Sequence, residues 1–149
     1  MDDTPELREA SSDLVVHAAR LVRAVRRLVA QPAGIRVLSL LDEHGALGIT
    51  QLAELDRCAQ PTMSGAVGHL VEQGWAAKQP HPDDARASLV SLTDRGRETL
   101  ARYRREYGEA IAARLLAHGR HSDADLATAV AVLRDVLDAD PSLAMEGSL

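Results

Sequence analysis

The segment Asp84-Ala85-Arg86-Ala87-Ser88-Leu89-Val90-Ser91-Leu92-Thr93-Asp94-Arg95-Gly96 opens as a turn, continues as a strand and closes as the start of a helix. From Ala87 to Leu92 the side chains alternate as in a half-buried strand, Leu89 against Ser88 and Leu92 against Ser91, with Val90 blurring the pattern. Thr93 stands where a helix N-cap belongs, because its hydroxyl can accept a first-turn N–H. Just upstream, Pro80-His81-Pro82-Asp83-Asp84-Ala85 gathers turn formers, and Trp75 to Gln79 reads as a second short strand. The segment thus predicts a hairpin that carries one arginine, Arg86, near its tip and feeds directly into a capped helix.

Outward from the hairpin the pattern is helical. A helix is expected from about Glu6 to Ala30, where Leu14, Ala18, Leu21, Val25 and Leu28 recur at alternating steps and form one apolar stripe. Arg20, Arg23, Arg26 and Arg27 lie off that stripe and read as a solvated face or an intersubunit pairing surface. Pro32 and Gly34 punctuate the chain. Shorter helices follow at Ile35–Glu43, Ile49–Asp56 and Pro61–Gln73, closed in turn by Gly45, by a turn, and by Gly74. After Thr93 a long helix carries Leu100, Tyr103, Tyr107, Ile111 and Leu115 on one face and stops near Gly119. Ser122 caps a last helix through Leu126, Val130, Leu133 and Leu137, which ends before Pro141. The predicted fold is mainly α with a small β-hairpin wing. A winged helix-turn-helix lobe at 35–96 stands between dimerisation helices at 1–34 and 97–149, because the outer stripes exceed what so small a core can bury.

Composition sets further bounds. Of 149 residues 46% are apolar, yet there is one Trp, two Tyr and no Phe, so the core must be aliphatic. The formal charge of −5 argues, taken alone, against a polyanionic partner. Its distribution argues otherwise. Between Arg57 and Arg105 there are eight basic and five acidic residues, a net +3, while the acids concentrate at the two ends. A single cysteine, Cys58, excludes an intrachain disulfide and reads as a small buried hydrophobe rather than a redox switch. The acidic start lacks a signal peptide's basic and apolar regions, and no stretch is long enough to span a membrane, so the cytoplasm is expected. No phosphate-cradling glycine loop, nucleophile elbow or framed pair of carboxylates is present, so neither an enzyme nor a cofactor is expected. His118, His121, Asp123 and Asp125 have spacing that suits a metal, but they straddle a helix break and read better as a charged turn.

Residues Asp84 to Gly96 fit the wing pattern D-x-R-[SA]-x-x-V-x-L-T-x-x-G, and through it the chain resembles the MarR family of bacterial regulators. Leu52-Ala53, Gln60-Pro61-Thr62-Met63-Ser64 and Leu70-Val71-Glu72-Gln73-Gly74-Trp75 continue the match through the helix-turn-helix and its exit into the wing. The resemblance implies a homodimeric transcription regulator, more often a repressor, that binds a pseudo-palindromic site in double-stranded DNA. It also implies response to a small-molecule effector held between the lobe and the dimer helices. On this reading Gln60, Pro61, Thr62, Ser64, Gly65 and His69 face the major groove, Lys78 meets a phosphate, and Arg86 enters the minor groove with Asp84 orienting it. Three departures stand out. The helix from Pro61 to Gln73 contains no Lys or Arg, Gly65 occupies a position where relatives carry a basic residue, and Gly48 and Ala59 replace hydroxyl caps. They keep a second class open, a winged-helix module that contacts only proteins.

Overall fold

The computed structural model describes residues 3–139. Within them the order is α1 (Pro5–Leu28), α2 (Ile35–His44), β1 (Leu47–Gly48), α3 (Ile49–Leu55), α4 (Gln60–Glu72), β2 (Ala76–Pro80), β3 (Ser88–Leu92), α5 (Asp94–His118) and α6 (Asp123–Asp138). The expected helices are present with ends shifted by a residue or two, and the last one ends at Asp138, ahead of Pro141, which itself lies outside the described residues. The hairpin gains a partner that the sequence did not signal. β1 pairs antiparallel with β3, Leu47 opposite Val90, so three strands lie in the order β1-β3-β2. Two residues are too few for period-two alternation to be visible, which is why this strand was missed.

The core is aliphatic, as the composition requires. Leu38 of α2, Leu52 of α3, Val67 and Leu70 of α4 and Val90 of β3 are all fully buried. Leu100 joins them from α5, so the lobe's core runs past residue 96 into the first turns of that helix. Gly34 enters α2 at φ 87°, and a Cβ there would lie 2.7 Å from a Leu70 methyl. Only glycine tolerates both the left-handed backbone and the close approach.

Thr93 and Gly96 join the wing to α5. The Thr93 hydroxyl donates to the Gly74 carbonyl at 2.6 Å and accepts from the Gly96 N–H at 3.0 Å, so it caps the helix and ties it to the start of the hairpin. A Cβ on Gly96 would sit 2.0 Å from the Trp75 carbonyl oxygen. The L-T-x-x-G end of the wing pattern is therefore a structural joint.

Apolar surface is left over on the outer helices. α6 buries none of its residues, and Leu126, Val130, Leu133 and Leu137 stand exposed along it. Val15, Val16, Leu21 and Val22 of α1 are likewise exposed.

Candidate nucleic-acid interface

α4 is oriented by what it buries. Met63, Val67 and Leu70 face the core, which turns Gln60, Pro61, Thr62, Ser64 and Gly65 outward together. A Cβ added at Gly65 or Gly68 would meet nothing within 4 Å, so the outer face of this helix has a low profile. A backbone so little screened can approach a flat or grooved partner closely. His69 is half-buried and meets Trp75 edge-on with ring centroids 6.4 Å apart, so it stands apart from the outward group. Ala59 supplies no side-chain cap, as its chemistry requires. At the preceding helix the Gln51 side chain takes over, accepting the Gly48 N–H at 2.9 Å.

The turn between α3 and α4 is tighter than the sequence indicated. The Cys58 N–H reaches the Ala53 carbonyl at 3.0 Å and the Arg57 N–H reaches Glu54 at 3.1 Å, with Arg57 in the left-handed region at φ 49°. This is the hydrogen-bond pattern that glycine usually completes at a helix end. An ion pair from Arg36 on α2 to Asp56, the last residue before the turn, braces it. Cys58 packs against the core. Burial pushes its thiol up, and the neighbouring Asp56 carboxylate adds to the shift.

Beside this helix β2 and β3 extend the wing. Lys78 is exposed opposite Val90 on β2. The tip is closed by the His81 N–H to the Ala87 carbonyl and by the Ala87 N–H to the Asp84 carbonyl, both at 3.0 Å. Arg86 is exposed. The Asp84 carboxylate accepts the backbone N–H of Arg86 at 2.9 Å. Asp84 thus acts on the backbone of the chain that carries the arginine.

The outward face of α4 and the wing tip are thus two exposed elements anchored on one small core. Gln60, Thr62 and Ser64 belong to the first, and Arg86 and Lys78 to the second. Sequence reasoning missed Thr50. It is exposed at the start of α3, where its hydroxyl oxygen accepts a hydrogen bond from the Gln60 amide nitrogen at 2.6 Å. No local signal marks a pair ten residues apart on different helices. At the α5–α6 turn, Gly119 takes the left-handed conformation and Ser122 with Asp125 forms a reciprocal cap. Among the described residues no three metal-ligating side chains cluster, and none of the helices is long and apolar enough to cross a membrane.

A cavity of about 410 Å³ opens between α1, α2 and α5. Apolar side chains such as Leu21, Val25 and Leu100 form its walls, with Arg26, Arg104 and Tyr107 among its polar groups. The Tyr107 hydroxyl is buried without a hydrogen-bond partner. Burial, with lesser help from Tyr103 and Glu106, raises its pKa and keeps it protonated.

Comparison with known proteins follows the same lines. The family model for the MarR family matches residues 32–88. An HTH-type transcriptional regulator of Mycobacterium tuberculosis is 31% identical over 135 residues, covering 88% of this chain and 94% of the relative. A solved MarR family protein from Bacillus stearothermophilus superposes with a TM-score of 0.64 at 18% identity, covering 93% of this chain and 98% of that one. A mutant MarR from Escherichia coli, solved in complex with operator DNA, gives a TM-score of 0.54 at 21% identity, covering 89% and 94% respectively.

Proposed function

Because the chain belongs to the MarR family, and so to DNA-binding transcription regulators rather than to enzymes, we propose that it occupies a pseudo-palindromic operator as a homodimer and represses transcription from it. The observation that carries this reading is the pairing, on one rigid lobe, of the outward face of α4 with an exposed arginine on a hydrogen-bonded wing tip. A helix of this kind enters the major groove, where each base pair presents a distinct pattern of donors and acceptors. A lone guanidinium beside it suits a narrow, electronegative minor groove. Gln60, Pro61, Thr62, Ser64 and Gly65 are assigned to the major groove, with His69 behind them, and Lys78 to a phosphate.

Two copies are required. The uncovered apolar residues of α1 and α6 fall in the segments 1–34 and 97–149 assigned to dimerisation. A two-fold axis through them would set the lobes over half-sites about one helical turn, ~10 bp, apart. The cavity between α1, α2 and α5 supports an effector site, since it adjoins both the lobe and the dimer helices. An apolar molecule with an anionic or hydrogen-bonding group fits its walls and its unsatisfied Tyr107 hydroxyl. Such a molecule shifts DNA affinity only by binding one lobe spacing better than another. A role on DNA is in keeping with the cytoplasmic location expected from the sequence.

The test is a gel shift with genomic fragments, run beside light scattering on the free protein. Retarded fragments that share a palindrome, and a mass twice that of the chain, are the expected results. A protein that retards no fragment at low salt is instead a module for protein contacts, the reading that the absence of Lys and Arg from α4 would then favour.

A further inference from the structure

Thr50 and Gln60 form, among the described residues, the one hydrogen bond that joins two neutral side chains from different elements. Both are exposed, so in water the bond contributes little to stability: each partner would otherwise be solvated. Its position matters more. Thr50 lies in the first turn of α3 and Gln60 is the first residue of α4, the two helices of the helix-turn-helix. In that motif the first helix crosses the DNA backbone while the start of the second reaches the base edges. The pair therefore spans the boundary between the place where phosphates pass and the place where bases are read.

Resting on the DNA-binding function proposed above, we infer that Thr50 is a phosphate-contacting residue that also positions Gln60 for base readout. The hydrogen-bond inventory permits both roles at once. The Thr50 oxygen accepts from the Gln60 amide nitrogen, so its own hydroxyl proton is left to donate to a phosphate oxygen. The bond holds a long side chain in one orientation and leaves the Gln60 carbonyl oxygen, unused by the pair, to accept from an exocyclic base amine, the N6 of adenine or the N4 of cytosine. An α4 without Lys or Arg cannot make the Arg–guanine contact, and a pre-oriented glutamine supplies the specificity that this loss removes.

The probe is the duplex that the parent protein enriches from a random double-stranded pool, titrated by fluorescence anisotropy. Thr50→Val keeps the shape and removes the hydroxyl. It should weaken binding by about tenfold or more, and in a scan of single base-pair changes it should flatten the preference at the same symmetric positions as Gln60→Ala. Thr50→Ser should recover affinity to within about twofold of the parent, and the melting temperatures of all three should match the parent's. In the double variant Thr50→Val/Gln60→Ala the preference should flatten no further than in Gln60→Ala, because the two act as a unit. A Thr50→Val protein with the parent's affinity, or one with an unchanged base-pair profile, overturns the inference. If the parent enriches no duplex at all, the DNA-binding function falls and this inference falls with it.

Discussion

Arg86 and Asp84 are tied through the backbone at the wing tip, and they separate a test of stability from a test of binding. Arg86 is exposed and makes no ion pair among the described residues, so Arg86→Ala should change stability by less than about 0.5 kcal/mol. Its removal from a minor groove should weaken operator binding by about 1–3 kcal/mol per contact, with two contacts per dimer. Thermal melting beside operator titration separates the two effects, and a variant that binds like the parent removes the wing from the interface. Asp84 acts through the backbone N–H of Arg86, and that bond needs an acceptor oxygen rather than a charge. Asp84→Asn should therefore bind DNA at least as well as the parent, having also lost a charge that phosphates repel, while Asp84→Ala should bind less well. Equal loss in both would mean that the carboxylate's charge is what matters. Cys58 follows from its surroundings. Burial and Asp56 raise its pKa, so at neutral pH it holds less thiolate than a free cysteine. Its alkylation by iodoacetamide should be slower than that of free cysteine and should accelerate in denaturant; rapid modification of the folded protein would revive a sensing role.

At the scale of the elements, glycines divide into those that joints require and those that surfaces merely allow. Gly96 lets the first turn of α5 lie against the Trp75 carbonyl, where a Cβ would come within 2.0 Å of the oxygen. The clash is with backbone on both sides, so Gly96→Ala must part helix from hairpin. It should cost about 1–3 kcal/mol, on the scale of an overpacked core, and lower the melting temperature by roughly 2–12 °C. Gly65 lies mid-helix in open space, so Gly65→Ala should raise stability by up to ~1 kcal/mol through helix propensity alone. Calorimetry on the two variants should show shifts of opposite sign. A Gly96→Ala protein that melts with the parent would mean that α5 is not anchored through this contact.

On the scale of the whole molecule, the described residues leave apolar surface uncovered. Leu126, Val130, Leu133 and Leu137 stand exposed on a helix that buries nothing. Because α6 contributes nothing to the lobe's core, Leu133→Asp should leave the lobe folded while converting a dimer to a monomer by light scattering, with a loss of operator affinity as the half-sites uncouple. A variant that stays dimeric would move the interface elsewhere. Binding should also be steeply salt-dependent in spite of the net charge of −5. A dimer that makes ~6–10 phosphate contacts loses roughly 10³–10⁵ in affinity between 50 and 200 mM salt. A flat response would show that the positive segment from Arg57 to Arg105 does not face the DNA.

Local sequence determined what local physics controls. Periodicity placed the long outer helices, glycine punctuation bounded the shorter ones, alternation marked the second strand of the hairpin, and Thr93 and Ser122 announced the caps they form, because each of these depends on residues within a turn or two of one another. The groove-facing set on α4 was named only through the family resemblance; the structure gives its physical reason, since with Met63, Val67 and Leu70 facing the core the polar positions at the start of the helix turn outward. What required the tertiary structure was every contact between residues distant in sequence. Strand β1 exists only because Leu47 finds Val90, Asp56 is braced by Arg36 from another helix, and Gln60 meets Thr50 across the turn. The cavity between α1, α2 and α5 belongs to no single element. Such features depend on how finished helices and strands are packed, and the packing is settled by the buried core as a whole, so no window of sequence contains it.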